Sequence, residues 1–299
     1  MMTTAVALTD VKPTIKLKNV LFATDFSEAS TSALPHAAAI AKEFGGRVFV
    51  CHILTSTPLA IGSPEAAPYL YEAEMETARQ ELAELLRSPW LDSVNPQPVM
   101  LSGIFSDQLQ HAIHSNDIDL VVAVTHGRTG FHKLLLGSGA EEICRVSSCP
   151  VLTIGPDISG DSWINFRIIL YPTDFSRESM QALPYANALA EHYGAKLIFL
   201  HVVPGERASN AESALAEELR ERMKQLIQEK LETGKAEFLI ETGNAAKAIL
   251  KVAGEYNADL IAMGIRNTFA PGVQLGSSTA YGVMSGAPCP VLTYRSARH

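Results

Sequence analysis

No apolar run in this chain approaches the ~20 residues that would span a bilayer; the longest, such as Leu120–Val124, are strand-sized. The N-terminus offers only residues 5–8 as an apolar segment, too short for the core of a signal peptide. Cysteine is scarce. The four thiols (Cys51, Cys144, Cys149, Cys289) form no C-x2-C pair and no zinc spacing, and read as buried or free thiols of a reducing compartment. Positive charge is also short, with 24 Lys and Arg against 32 Asp and Glu. The net charge of −8 repels phosphate backbones and disfavours a nucleic-acid partner. A phosphate-binding G-x4-G-K-[ST] loop is missing altogether. These shortages point to a soluble protein of the cytoplasm, with neither membrane nor nucleic acid as partner.

What is present is core-forming material. Apolar residues make up 47% of the 299 residues and charged residues 19%, enough to close a core in each of two domains.

The chain repeats itself. Thr24-Asp25-Phe26-Ser27 returns as Thr173-Asp174-Phe175-Ser176, and His52 as His201, each offset by 149 (174 − 25, 201 − 52). Further on, Asp119 matches Asp259, and Cys149-Pro150-Val151 matches Cys289-Pro290-Val291, at an offset of 140 (259 − 119). The first copy therefore carries nine extra residues (149 − 140), placed between about 55 and 100. Two matched ends with one length change mean duplication. The domains are expected at 16–155 and 165–295, with 156–164 as linker.

Within each copy, short Val/Ile/Leu-rich runs alternate with helical patterns. The runs are Asn19–Ala23, 47–53, 98–101, Leu120–Val124 and Val151–Ile154, then 167–171, 196–202, 237–240, 260–263 and Val291–Tyr294. Lacking clean alternation, they suit parallel strands buried on both faces. Ser27 and Ser176 stand where N-caps belong, and Gly45-Gly46 and Gly194 close the first helices. Long charged helices follow at roughly 72–87 and 211–232, a third after Ser106 or Asn244, and a fourth after Ser138 or Ser277. This alternation predicts an α/β fold of two tandem doubly wound domains, each a five-stranded parallel sheet flanked by helices.

Ligands of such sheets bind outside the carboxyl ends of the strands. Three segments reach that edge: Thr24-Asp25, His52-Ile53, and the stretch from Val124 through His126-Gly127-Arg128-Thr129-Gly130 to Gly137-Ser138. A Gly-Ser helix start exposes backbone N–H groups at a positive dipole end, suited to phosphate, although it also serves as a plain cap.

The Thr-Asp-Phe-Ser turn, the H-G-R-T-G-x5-L-G-S segment and the Cys-Pro-Val-Leu strand occur in order, the first and last of them in both copies. Together they resemble the universal stress protein family, over essentially the whole chain. The resemblance implies a Rossmann-like fold of the adenine nucleotide alpha hydrolase type and ATP as a bound ligand. It further implies an internal pseudo-dimer through the last strands, and leaves room for a homodimer of the whole chain. In the ATP-binding branch the loop reads G-x2-G-x9-G-[ST]. The first copy has Val124 in place of the first glycine with the spacing intact; the second keeps Gly264, has Asn267 for the next glycine, and is one residue short.

By this resemblance, Ala23, Thr24 and Asp25 sit by adenosine, Ile53 contacts adenine, and Gly127, Arg128, Gly130, Gly137, Ser138 and Gly139 surround ribose and phosphates. The counterparts are Pro172, Thr173, Asp174, Val202, Met263, Gly264, Asn267, Gly276, Ser277 and Ser278. Val124 is expected to crowd the ligand, whereas Gly264 is expected to leave room; the shortened second loop makes the first domain the better binder.

Other readings stand beside this one. Asp25 and Asp174 also suit a turn into the first helix. Asp107, His111 and His114 share a helical face as metal ligands would, but Leu109, Ala112 and Ile113 supply that helix's buried stripe, which puts the histidines on the solvated side. His126 lacks a serine or acidic partner in sequence, and no Lys clamp, acidic metal pair or nucleophile–base pair accompanies Gly137. The expectation is a non-catalytic regulatory module with no metal. A scaffold with decayed sites is the alternative, and a slow ATPase a third.

Overall fold

The computed structural model describes residues 15–55, 67–125, 137–156, 158, 165–205, 211–228, 236–266 and 278–295. In the first repeat β1 (Asn19–Ala23) leads to a helix in two pieces, α1 (Glu28–Thr31) and α2 (Leu34–Glu43). β2 (Arg47–Leu54), α3 (Ala67–Leu85), β3 (Gln97–Ser102), α4 (Phe105–Ser115), β4 (Leu120–Val124), α5 (Ser138–Val146) and β5 (Val151–Ile154) follow. The second repeat has β6 (Ile168–Pro172), α6 (Arg177–Tyr193), β7 (Lys196–Val203), α7 (Ala211–Gln228), β8 (Ala236–Thr242), α8 (Ala245–Glu255), β9 (Leu260–Gly264), α9 (Thr279–Gly286) and β10 (Val291–Tyr294).

Side-chain caps set the starts of α1, α6 and α8. Ser27 and Ser176 accept from the N–H of Ser30 and Ser179 at 3.1 and 3.2 Å, and Asn244 accepts from that of Lys247 at 3.1 Å. Gly194 ends α6 in the left-handed conformation, φ 63°, which costs glycine nothing. Two expected starts shift. Helix α4 begins at Phe105 after Ile104, so Ser106 lies within its first turn. Helix α5 begins at Ser138 itself, with Gly137 in the N-cap position. Proline also acts differently in the two repeats: Pro35 sits in the first turn of α2, just past the break, while α6 carries Pro184 inside a continuous helix.

All strands join one ten-stranded sheet in the order β3-β2-β1-β4-β5-β10-β9-β6-β7-β8. Among the described residues, pairing within each repeat is parallel and only the central β5–β10 pair is antiparallel. The nine extra residues lie between β2 and β3. Phe49 pairs with Gln97 and Ile198 with Glu237, which gives offsets of 149 (198 − 49) and 140 (237 − 97) on either side of that connection.

Successive strand residues point to opposite faces, so the sheet carries two cores. Val20, Phe22, Val48 and Val50 join one core, with Ala37, Leu82, Ala186 and Met223 from α2, α3, α6 and α7. Leu21, Phe49 and Cys51 join the other, with Leu109, Ile143, Val252 and Val283 from α4, α5, α8 and α9. The repeated acids Asp119 and Asp259 serve the opposite end of the sheet from any ligand edge. Asp119 accepts from the N–H of Lys18 and Asn19 at 3.0 and 2.9 Å, and Asp259 from Arg167 and Ile168 at 2.8 and 2.9 Å.

The expected pairing of the last strands is present. Leu152 lies opposite Leu292, flanked by Thr153 opposite Val291 and Val151 opposite Thr293. Each threonine hydroxyl donates across the joint, Thr153 to the carbonyl of Val291 at 3.2 Å and Thr293 to that of Val151 at 3.4 Å. Because 292 − 152 is the repeat offset of 140, the pseudo-two-fold axis passes through the Leu152–Leu292 pair. A cavity of about 10 Å³ sits on this axis, and its ten lining residues are five equivalent pairs: Leu17 with Phe166, Ile40 with Leu189, Phe44 with Tyr193, Leu120 with Leu260, and Leu152 with Leu292.

Candidate functional site

The Thr-Asp-Phe-Ser turn leaves β1 at its carboxyl end and is held from several sides. The N–H of Thr24 donates to the carbonyl of Cys51 at 3.0 Å, and its hydroxyl lies 2.9 Å from that of Ser30. The N–H of Phe26 donates to the Thr24 hydroxyl at 2.9 Å. Asp25 Oδ1 accepts from both the N–H and the hydroxyl of Ser27, at 3.1 and 2.6 Å. The turn role of Asp25 is thus realised, and it fixes the carboxylate at the strand edge.

Phe26 sits in the left-handed region, φ 62°, and Phe175 repeats this at 58°. For a bulky residue that costs about 1–2 kcal/mol. The rings are held by the repeated histidines: Phe26 stacks on His52 with centroids 4.4 Å apart, and Phe175 lies 4.8 Å from His201. Each histidine Nδ1 contacts the threonine carbonyl of its own turn, at 2.9 Å to Thr24 and 2.8 Å to Thr173. A carbonyl only accepts, so Nδ1 carries the proton. The repeated His and Phe therefore build the turn, a role that sequence pattern alone did not assign.

In the first repeat Ala23, Thr24, Asp25, Ile53 and the start of α5 lie at the same sheet edge. Ile53 is half-buried and packs on the second core. The N–H of Gly137 donates to the carbonyl of Thr125, which ties the start of α5 to the end of β4. Ser138 and Gly139 are exposed, and Gly137 gives the helix no side-chain cap. The first-turn amides of α5 therefore receive no capping oxygen from the N-cap residue, a helix start suited to an anion. Gly127, Arg128 and Gly130 lie outside the described residues, as do Asn267, Gly276 and Ser277.

Three features mark the second repeat. Ser278 caps α9 with its own hydroxyl, which accepts from the N–H of Tyr281 at 3.2 Å. The Asp174 carboxylate, beyond the N–H of Ser176 at 3.0 Å, is ion-paired with Arg266. Burial opposes its charge, yet hydrogen bonds from Ser176 and the Arg266 guanidinium outweigh that and hold it below the usual carboxylate range. Finally, the expected room at Gly264 is filled: a Cβ there would lie 2.1 Å from the carbonyl oxygen of Glu178 and 2.7 Å from Cα of Ser179. The glycine lets the first turn of α6 approach β9 instead of leaving space for a ligand. Pro172, Thr173 and Met263 are buried behind this edge, and Val202 is half-buried beside it. Arg222 of α7 adds a guanidinium 5.9 Å from the centroid of the Phe175 ring.

Other candidates resolve simply. His111 and His114 are exposed on α4, which buries Leu109, Ala112 and Ile113. Among the described residues no group of three or more His, Cys, Asp or Glu could hold a metal ion. All four thiols are free, and burial pushes each up to about 12, so they stay protonated near neutrality. No helix among the described residues is long and apolar enough to cross a membrane.

The universal stress protein family model matches residues 16–155 and, a second time, residues 165–295. The chain belongs to the universal stress protein family. Curated relatives align with about half of this universal stress protein. One from Methanocaldococcus jannaschii is 30% identical over 141 residues, 46% of this chain and 81% of the relative. Universal stress protein A homolog 1 of Coxiella burnetii is 31% identical over 140 residues, 46% of this chain and 95% of its own. A solved universal stress protein from Archaeoglobus fulgidus matches with a TM-score of 0.70 at 22% identity, over 94% of this chain and 100% of that one. That likeness is one of fold.

Proposed function

We propose that this tandem universal stress protein is a non-catalytic regulatory module of the cytoplasm that binds adenine nucleotide, ATP foremost, in its first domain. The observation that carries the reading is the start of α5, where Gly137 has no side chain to cap the first-turn amides, at the same edge as Asp25 and Ile53. Such amides, at the positive end of the helix, suit phosphate oxygens. Asp25, already oriented by Ser27, is placed to accept from a ribose hydroxyl, and Ile53 offers an apolar surface to the base.

A second reading, a scaffold with decayed sites, is favoured by the second repeat, whose aspartate is engaged by Arg266 and whose helix start is capped by Ser278. Titration of the full chain with ATP, followed by calorimetry, separates the two. Saturable binding near one ATP per chain is the expected result; no saturation at millimolar ATP would leave the scaffold. Hydrolysis is expected far below about 1 per second, the lower end of ordinary turnover.

A further inference from the structure

Some of the residues that meet on the pseudo-two-fold axis are equivalent in position and unlike in kind. Glu43 and His192 hold the same place in the two repeats (192 − 149 = 43), yet one is an acid and the other an imidazole. They are bound to each other, His192 Nε2 to Glu43 Oε1 at 2.8 Å, with Phe44 stacked on the same imidazole at 4.5 Å. In the axial cavity Leu17 shares the lining with its equivalent Phe166 (166 − 149 = 17), and Phe44 with Tyr193. The second repeat supplies the larger residue in both of these pairs.

Self-pairing of either repeat through the same surface would repeat each of these residues. Two first repeats would bring Glu43 to Glu43, like charges, and Leu17 to Leu17, which enlarges the cavity. Two second repeats would bring His192 to His192 and would replace Leu17 by a second Phe166 and Phe44 by a second Tyr193 around a cavity of only about 10 Å³. Only the mixed pair sets acid against imidazole and large against small. We infer that the seam is a hetero-specific interaction surface: the first repeat takes the second repeat as partner and rejects a copy of itself, with Leu17/Phe166 and Glu43/His192 as the specificity-determining pairs. The β5–β10 joint thereby takes one first repeat and one second repeat.

Single substitutions in the full chain reproduce each self-pair inside the folded protein. Leu17→Phe makes the Phe–Phe contact, Phe166→Leu the Leu–Leu contact, Glu43→His the His–His contact and His192→Glu the Glu–Glu contact. Each cavity variant should lower Tm by about 3–8 °C, from overpacking or from the enlarged void. Each surface variant should lower it by about 1–2 °C. The swapped doubles, Leu17→Phe with Phe166→Leu and Glu43→His with His192→Glu, restore the mixed contact from the other side of the axis and should recover most of the loss. Doubles that fall as far as the sum of their singles overturn the inference. The surface set decides the matter on its own if Leu17→Phe does not fold, since exposed Glu43 and His192 tolerate exchange.

Discussion

Leu152 and Leu292 face each other across the antiparallel pair that joins the halves of the sheet, and each is the other's counterpart in the repeat. Both are buried, at 2% and 5% exposure, and both line the axial cavity. Truncation at either place enlarges a void that is already present. Leu152→Ala and Leu292→Ala should each destabilise the full chain by about 2–5 kcal/mol, and by similar amounts, because the axis makes their surroundings alike. Urea denaturation checks both; a loss at one position alone would contradict the symmetry of the joint.

Tyr193 brings a hydroxyl into this region without a hydrogen-bond partner among the described residues. Burial also raises its pKa above the usual phenol value. The equivalent residue, Phe44, fills the same cavity from the other repeat without a polar atom. Tyr193→Phe keeps the edge contact with Phe166, at 5.1 Å between centroids, and removes the unsatisfied group. The variant should be more stable by about 1 kcal/mol, read as a higher urea midpoint with unchanged slope.

Ten strands were legible in the sequence because parallel strands buried on both faces have to be apolar runs, and each run coincides with a strand to within two residues. The last-strand pairing was legible because Val151–Ile154 and Val291–Tyr294 are repeated apolar edges that need a partner. Contacts across the axis were not. Glu43 and His192 are 149 positions apart, and only folding shows that equivalent places meet. The role of Gly264 was misread for a related reason: a missing side chain makes room equally for a ligand or for a neighbouring backbone, and here Glu178 takes it. The ion pair of Arg266 with Asp174 likewise joins two strand ends that are remote in sequence.

That close approach gives a prediction for the second repeat. Gly264→Ala drives a Cβ into the Glu178 backbone, so α6 must move off β9, at a cost of about 1–3 kcal/mol or more. At the equivalent place the first repeat already carries the branched Val124, and Val124→Ala there only removes half-buried methyl groups, at about 1 kcal/mol. Thermal unfolding of both variants should rank Gly264→Ala as the more damaging.

His36 contributes a dependence on pH. It is 2% exposed on α2, and neither ring nitrogen has a partner among the described residues. Desolvation lowers its pKa, so the folded chain holds it neutral at pH values where the unfolded chain, with an ordinary histidine near 6.5, binds a proton. The sign follows: stability is unaffected above about pH 6.5 and falls below it, by at most about 1.4 kcal/mol per pH unit for this one group. His36→Leu removes the proton uptake along with two unsatisfied nitrogens. Its unfolding free energy should exceed that of the parent and fall less steeply between pH 7 and 5; equal slopes would assign the acid sensitivity to other groups.

The two candidate nucleotide sites should respond unequally to substitution of their aspartates. Asp25 is oriented by Ser27 at an edge where Gly137 supplies no capping side chain, and Asp174 is ion-paired with Arg266 beside a helix start that Ser278 caps. Asp25→Ala should weaken ATP binding by the full chain about tenfold or more, equivalent to about 1.4 kcal/mol, because a ribose hydroxyl loses its acceptor. Gly137→Val should abolish binding, since a branched side chain would stand over the first-turn amides that phosphate oxygens need. Asp174→Ala should leave the affinity within about twofold. Arg266→Ala frees the Asp174 carboxylate, but the Ser278 cap and the Glu178 backbone against Gly264 both remain. That variant should therefore add no second equivalent of ATP. Calorimetric titration of the four full-length variants reads all of these outcomes, and a loss with Asp174→Ala while Asp25→Ala left the affinity unchanged would move the binding site to the second repeat.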